Sequence, residues 1–275
     1  YKEANSIVHN KINSLVESFE KFTLSNEFEK SSYTINKMFY AFSLLGEHLE
    51  RKYVEEKYTK SKEFFLKRLD SLSSELNPIF EKSQLDKNDI SNLDACILTL
   101  ESARKIFSLQ SHISSEKVNE IYDQFLSKVL DRFNKINVKI NEEFKDNREN
   151  SFSTLEHLVR QMVLIRSISN IEFRTSQAYF STLERLCGFV QEIRRDIEQI
   201  LMLIFQKNSV NYSKLHNCLL CLENAKWIDE FRSGVYSDIM KSVKEQIVQQ
   251  AQAYGLVVQE SVLEGIRTSL VMHSP

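Results

Sequence analysis

Cys218-x-x-Cys221, with His216 just before it, is the spacing in this chain closest to a metal site. A structural zinc ion takes four ligands converging on a tetrahedron, and no second Cys/His pair accompanies this one. The other histidines, His9, His48, His112, His157 and His273, are scattered, with no two placed four apart as a helical HExxH site requires. There is no G-x-S-x-G elbow. Gly46, Gly188, Gly234, Gly255 and Gly265 are too isolated to form a phosphate-cradling loop. The carboxylates recur at helix-surface spacing, where pairing with lysine four residues on accounts for them. The sequence therefore predicts no catalytic, cofactor-binding or metal-binding residues, and a chain that is not an enzyme.

Two features point instead to binding. Arg51, Lys52, Lys57, Lys60, Lys62, Lys67 and Arg68 are opposed only by Glu55, Glu56 and Glu63, a local excess of four positive charges. Tyr53, Tyr58, Phe64 and Phe65 interleave with them. Such a cluster suits phosphate oxygens or an anionic lipid surface, so these seven are the candidate anion-binding residues. Trp227 is the only tryptophan. Its counterparts in the repeat described below are Glu47, Lys105 and Ser167, all compatible with solvent, which makes it a candidate protein-interface residue. The competing expectation for Trp227 is packing on Phe231.

The elements that must carry these residues are helical. The 275 residues include 5 Gly and 2 Pro, well under ordinary usage of about 7% and 5%, so residues that make turns and irregular loops are scarce. Hydrophobic residues make up 42% and charged residues 27%, enough for a packed core and unlike a disordered chain. A formal net charge of -2 provides no global field for nucleic acid or anionic membrane, so any electrostatic site must be local. No run approaches the roughly 20 apolar residues of a membrane span; the longest, Ile200 to Phe205, is far shorter. Cys96, Cys187, Cys218 and Cys221 lie in helix-periodic apolar contexts, which predicts reduced thiols and an intracellular, cytoplasmic setting. The start, Tyr1-Lys2-Glu3-Ala4-Asn5, has neither Met nor a signal-peptide core, and is read as the edge of a segment of a larger protein.

A repeat of about 60 residues organises the chain. With Ile35, Leu93, Leu155 and Leu215 as equivalents, the next apolar positions fall into columns without gaps. Phe39, Ile97, Val159 and Leu219 form one; Phe42, Leu100, Met162 and Leu222 the next; Leu45, Ala103, Ile165 and Ala225 a third. These offsets trace one helical face. Two copies share Leu-Glu-x-Ala, as Leu100-Glu101-Ser102-Ala103 and Leu222-Glu223-Asn224-Ala225. A longer second helix follows each first one, with Ile121-Tyr122 aligned on Val235-Tyr236. Cys218 falls in a core column and Cys221 on a mixed face.

The expected fold is all-α: an elongated array of antiparallel helical hairpins, bundle-like or solenoid-like. Its parts are an orphan helix in 1–30, hairpins at 31–87, 88–149, 150–209 and 210–256, and a terminal helix in 257–275. Ser31 or Ser32, Asn88 or Asp89, Asn150 or Ser151, and Asn211 are the expected N-caps. Pro78 should end or kink the first long helix near Asn77. Stacked hairpins build long surfaces, so the expected function is a scaffold module binding protein partners, with self-association open. The alternative is a bundle that meets anionic membrane or nucleic acid through 51–68.

Overall fold

The computed structural model describes residues 2–45, 50–110, 113–146, 151–205 and 212–253, and among these it is all-helical, with no strand. The chain forms two compact units, one of Tyr1–Phe133 with Leu164–Glu172, the other of Asn134–Val163 with Phe173–Pro275. The division runs within helices and not at the turns expected to separate hairpins.

The first unit holds α1 (Lys2–Leu24), α2 (Phe28–Leu44), α3 (Arg51–Ser74), α4 (Asn77–Glu81), α5 (Lys87–Gln110) and the first part of α6 (Ser115–Asp146). Phe65, on α3, has no exposed surface and lies against three other rings. Its centroid is 6.4 Å from Phe19, 5.8 Å from Phe28 and 4.1 Å from Phe107, so one side chain ties α1, α2, α3 and α5 together. The ring pairs also fix direction. Phe19 meets Phe65 and His9 stacks on Tyr53, so α1 and α3 run parallel. Phe28 meets Phe65 while Phe39 meets Tyr58, so α2 runs against them.

Between α1 and α2 the chain reverses through Asn26 at φ 59°. The Glu27 amide donates to the Phe22 carbonyl and the Asn26 amide to Thr23, the paired bonds of a left-handed helix cap. The chain thus re-enters helix at Phe28. Ser31 and Ser32 are not the cap: they lie inside α2, buried, where Thr23 Oγ1 donates to Ser31 Oγ. The start of α5 needs a similar correction. Asp86 is the cap, receiving the Asp89 amide at 2.8 Å while Asp89 receives the Asp86 amide at 3.1 Å. This reciprocal pair satisfies two orphan donors at once. Lys82 Nζ closes it at 2.6 Å and holds the Asp89 carboxyl below its ordinary range. The support Asp89 gives is therefore present at neutral pH and lost as pH falls through that lowered value. Asp86→Ala should cost about 1 kcal/mol, measured by urea denaturation at neutral pH. Asn150 and Asn211 lie outside the described residues. Near Pro78, α3 ends at Ser74 and a new helix begins at Asn77, placing the proline in a first turn where its missing N–H is no loss.

In the second unit lie the rest of α6, most of α7 (Ser151–Arg166), α8 (Glu172–Phe205), α9 (Tyr212–Asn224), a 3-10 turn (Lys226–Glu230) and α10 (Val235–Ala253). Thr182 Oγ1 donates to Asn137 Oδ1 at 3.0 Å, Arg185 bonds Asn141, and Phe144 meets the ring of Phe189 at 5.9 Å. The steady separation of these pairs along the chain makes α6 and α8 parallel. Phe152 of α7 stacks on Phe189 from another side, at 5.4 Å.

The predicted columns are buried in the second and third copies at all four positions: Leu93, Ile97, Leu100 and Ala103, then Leu155, Val159, Met162 and Ile165. In the outer copies Ile35, Leu222 and Ala225 are buried, while Phe39, Phe42, Leu45, Leu215 and Leu219 are half-buried. No column faces solvent. Any amphipathic helix in that phase would bury the same positions, so burial alone does not establish a repeat. The terminal helix expected in 257–275 lies outside the described residues.

Candidate functional site

The basic segment lies on α3, and helix geometry disperses it. Val54, Tyr58, Ser61, Phe65, Leu69 and Ser73 form the buried face. At 3.6 residues per turn, Arg51 and Lys62 flank one edge of that face, Lys57 and Arg68 the other, and Lys52, Lys60 and Lys67 point away. Three of the four flanking cations lie over rings of α3 or of the preceding helix α2. Arg51 sits 4.8 Å from the Phe42 ring centre, Lys62 4.9 Å from Tyr58 and Lys57 5.6 Å from Tyr53. Arg68 reaches Glu75 at 3.4 Å and Lys60 bonds Glu56 at 2.7 Å. Lys52 and Lys67 remain exposed, with Glu56 and Glu63 between them. The seven residues are brought onto one helix but not onto one face.

Of the two placements that the sequence leaves open, exposed or packed on Phe231, Trp227 takes the packed one. It is 6% exposed, in the 3-10 turn between α9 and α10, with its ring edge-on to Phe231 at 5.9 Å. The repeat alignment assumed that the first helix continues through this position. Instead α9 ends at Asn224 and the chain tightens into a 3-10 turn, which rotates Trp227 inward. The packing on Phe231 is the arrangement observed. Its Nε1 is buried and has no hydrogen-bond partner.

Around that turn the polar groups are closely organised. Arg160 forks onto Glu230 with bonds of 2.8 and 2.9 Å, bonds Glu156 through Nε at 2.9 Å, and lies 5.7 Å from the Phe231 ring centre. The fork holds the Glu230 carboxyl below its ordinary range and raises the Arg160 guanidinium. Asp229 receives the amides of Tyr236 at 2.7 Å and Ser237 at 3.0 Å, capping α10. Gly234 leads into that helix at φ 86°, where a Cβ would stand 2.8 Å from Asp238 Oδ2. Tyr236 donates its hydroxyl to Glu223 at 2.6 Å, which with burial pushes the phenol upward.

A comparable cluster exists in the first unit. Asn170, at φ 66°, donates to Glu101 at 2.8 Å and to the Tyr122 hydroxyl at 3.5 Å. The Ser169 amide donates to Asp94 at 2.7 Å, and Arg104 lies over the Tyr122 ring at 4.4 Å.

The thiols correct one detail. Cys221 is buried and Cys218 half-buried, the reverse of the expected order. None of the four cysteines is in a disulfide; burial pushes the Cys96 thiol up to about 12 and also raises Cys187. Among the described residues no three of His, Cys, Asp or Glu converge as metal ligands, and no helix is long and apolar enough to cross a membrane.

Exposed apolar stripes were missed from the sequence. On α2, Tyr33, Tyr40 and Leu44 are exposed, the last by 86%, with Lys37 over the Tyr33 ring at 4.1 Å. On α8, Phe173 is 92% exposed and Phe180 follows seven residues on. Their i, i+7 spacing off the core columns was the available signal. No family model, curated protein or solved structure matches this chain.

Proposed function

We propose that this chain is a non-enzymatic scaffold module, an array of helical hairpins whose exposed faces bind protein partners. One observation carries the reading. Two short sequence matches, Leu-Glu-x-Ala and Ile/Val-Tyr, recur in the second and fourth copies, and in both copies the glutamate and tyrosine of those matches are joined. Tyr236 bonds Glu223 directly, and Asn170 bridges Tyr122 and Glu101. Unrelated amphipathic helices in apolar register have no reason to gather the matched glutamate and tyrosine into one hydrogen-bonded cluster, directly in one copy and through an amide in the other.

The contacts of neighbouring elements support the same reading. Asn170, in the turn of the third hairpin, fastens to Glu101 on the first helix of the second, and Glu230 to Arg160 in the next pair. Measured from Leu155 and Leu215, Asn170 and Glu230 hold the same position. Each unit also contains a parallel pair of long helices. Hairpins that contact chiefly their neighbours leave long faces open to partners, and the stripes on α2 and α8 supply apolar area for them. Localisation inside the cell, in a reducing compartment, is part of the proposal and accords with four cysteines outside any disulfide.

The competing function is separable by experiment. Binding to anionic vesicles and to a polyanion is measured at about 50 mM and about 300 mM salt. The scaffold reading expects no binding at either. Salt-sensitive binding that disappears in the variant Lys57→Glu, Lys60→Glu, Lys62→Glu would replace it with the anionic-surface reading.

A further inference from the structure

The single tryptophan of the chain packs inward from a segment fastened from outside by charge. Residues 226–234 pass from the end of α9 to the start of α10 as a 3-10 turn and a left-handed glycine. Bonds inside the segment are short-range: the amides of Ile228, Phe231 and Arg232 reach only Ala225 and Ile228 carbonyls. What holds it against α7 is Arg160, forked onto Glu230 and lying on Phe231. One component opposes closure: Trp227 Nε1 is buried without an acceptor, a donor that water would satisfy if the segment lifted.

We propose that residues 226–234 form a salt-sensitive strap, latched by the Arg160–Glu230 fork, that uncovers Trp227, Ile228 and Phe231 when the latch is released. The fork lies at the surface, with 42% and 55% of the two side chains exposed, so added salt screens it. The matching contact of the first unit, Asn170 on Glu101, is made by a neutral amide and responds less to salt. The strap stands on contacts within the second unit alone, so it can survive or fail independently of the hairpin-array reading.

The test uses the full chain and its one indole proton. Exchange of the Trp227 Nε1–H with solvent is followed by NMR, beside the Ile171 amide, which bonds Ile168 in the other unit. Arg160→Gln and Glu230→Gln should each speed indole exchange about two- to fivefold at low salt, the range exposed ion pairs give. The double variant should exceed neither single one, because both remove one interaction. Raising salt from about 50 mM to about 1 M should reproduce the effect in the unaltered chain and add little to the variants. The Ile171 amide should keep its rate throughout. Unchanged indole exchange, additive effects of the two substitutions, or an equal rise at Ile171 would each overturn the strap. The last of these would mean that general destabilisation, and not local opening, had been measured.

Discussion

Phe65→Ala should destabilise the first unit by about 3 to 5 kcal/mol, the largest loss expected from any single truncation there. The side chain has no exposed surface and lies against Phe19, Phe28 and Phe107, which come from three different helices. Removing the ring leaves a void that none of those helices can fill without moving the other two. The cost therefore includes lost dispersion contacts as well as lost burial. Phe64→Ala is the internal comparison, since Phe64 is half-buried on the neighbouring strip of the same helix. Urea denaturation followed by circular dichroism should show the Phe65 variant losing clearly more. Equal losses would mean that α3 is rotated from the orientation described.

Trp227→Ala should cost a similar amount in the second unit, about 3 to 5 kcal/mol, whereas Trp227→Phe should cost much less. The contrast follows from the two halves of the indole. Its ring area is buried against Phe231 and the turn, so alanine forfeits packing that phenylalanine largely keeps. Its N–H makes no hydrogen bond, so phenylalanine removes a buried unsatisfied donor, an effect that offsets part of the lost volume. Thermal or urea denaturation of both variants measures this. If alanine left stability unchanged, Trp227 would be a surface residue after all, and its role would be sought in binding.

These two residues mark where sequence reading worked and where it stopped. Spacing puts Phe64 and Phe65 together in a core column; Phe65 lies there, whereas Phe64 is half-buried. For Trp227 spacing left exposure and packing on Phe231 both open, because the periodicity runs on past a helix end that no strong local signal announces. Ala225 to Lys226 carries neither glycine nor proline, and Asp229, the residue that caps α10 from this turn, makes that contact only in the folded chain. The first two N-caps failed similarly. Ser31 and Ser32 have suitable side chains, but the left-handed residue at Asn26 lets the helix start earlier, and a single Asn is a weaker marker than glycine.

By itself the sequence determined the all-helical secondary structure and the core face of the first helix in each copy. Scarce glycine and proline leave helix as the conformation that satisfies the backbone, and a 3.6-residue apolar period selects which side must leave water. It also placed Glu101, Tyr122, Glu223 and Tyr236 in matched motifs, without showing the contact between Glu223 and Tyr236 or the Asn170 bridge between Glu101 and Tyr122. Tertiary structure alone decided that contact, the dispersal of the basic residues around α3, the burial of Trp227 and the division into two compact units. Each depends on the rotation and register of one helix against another, which are set by side chains distant in sequence and not by any local period.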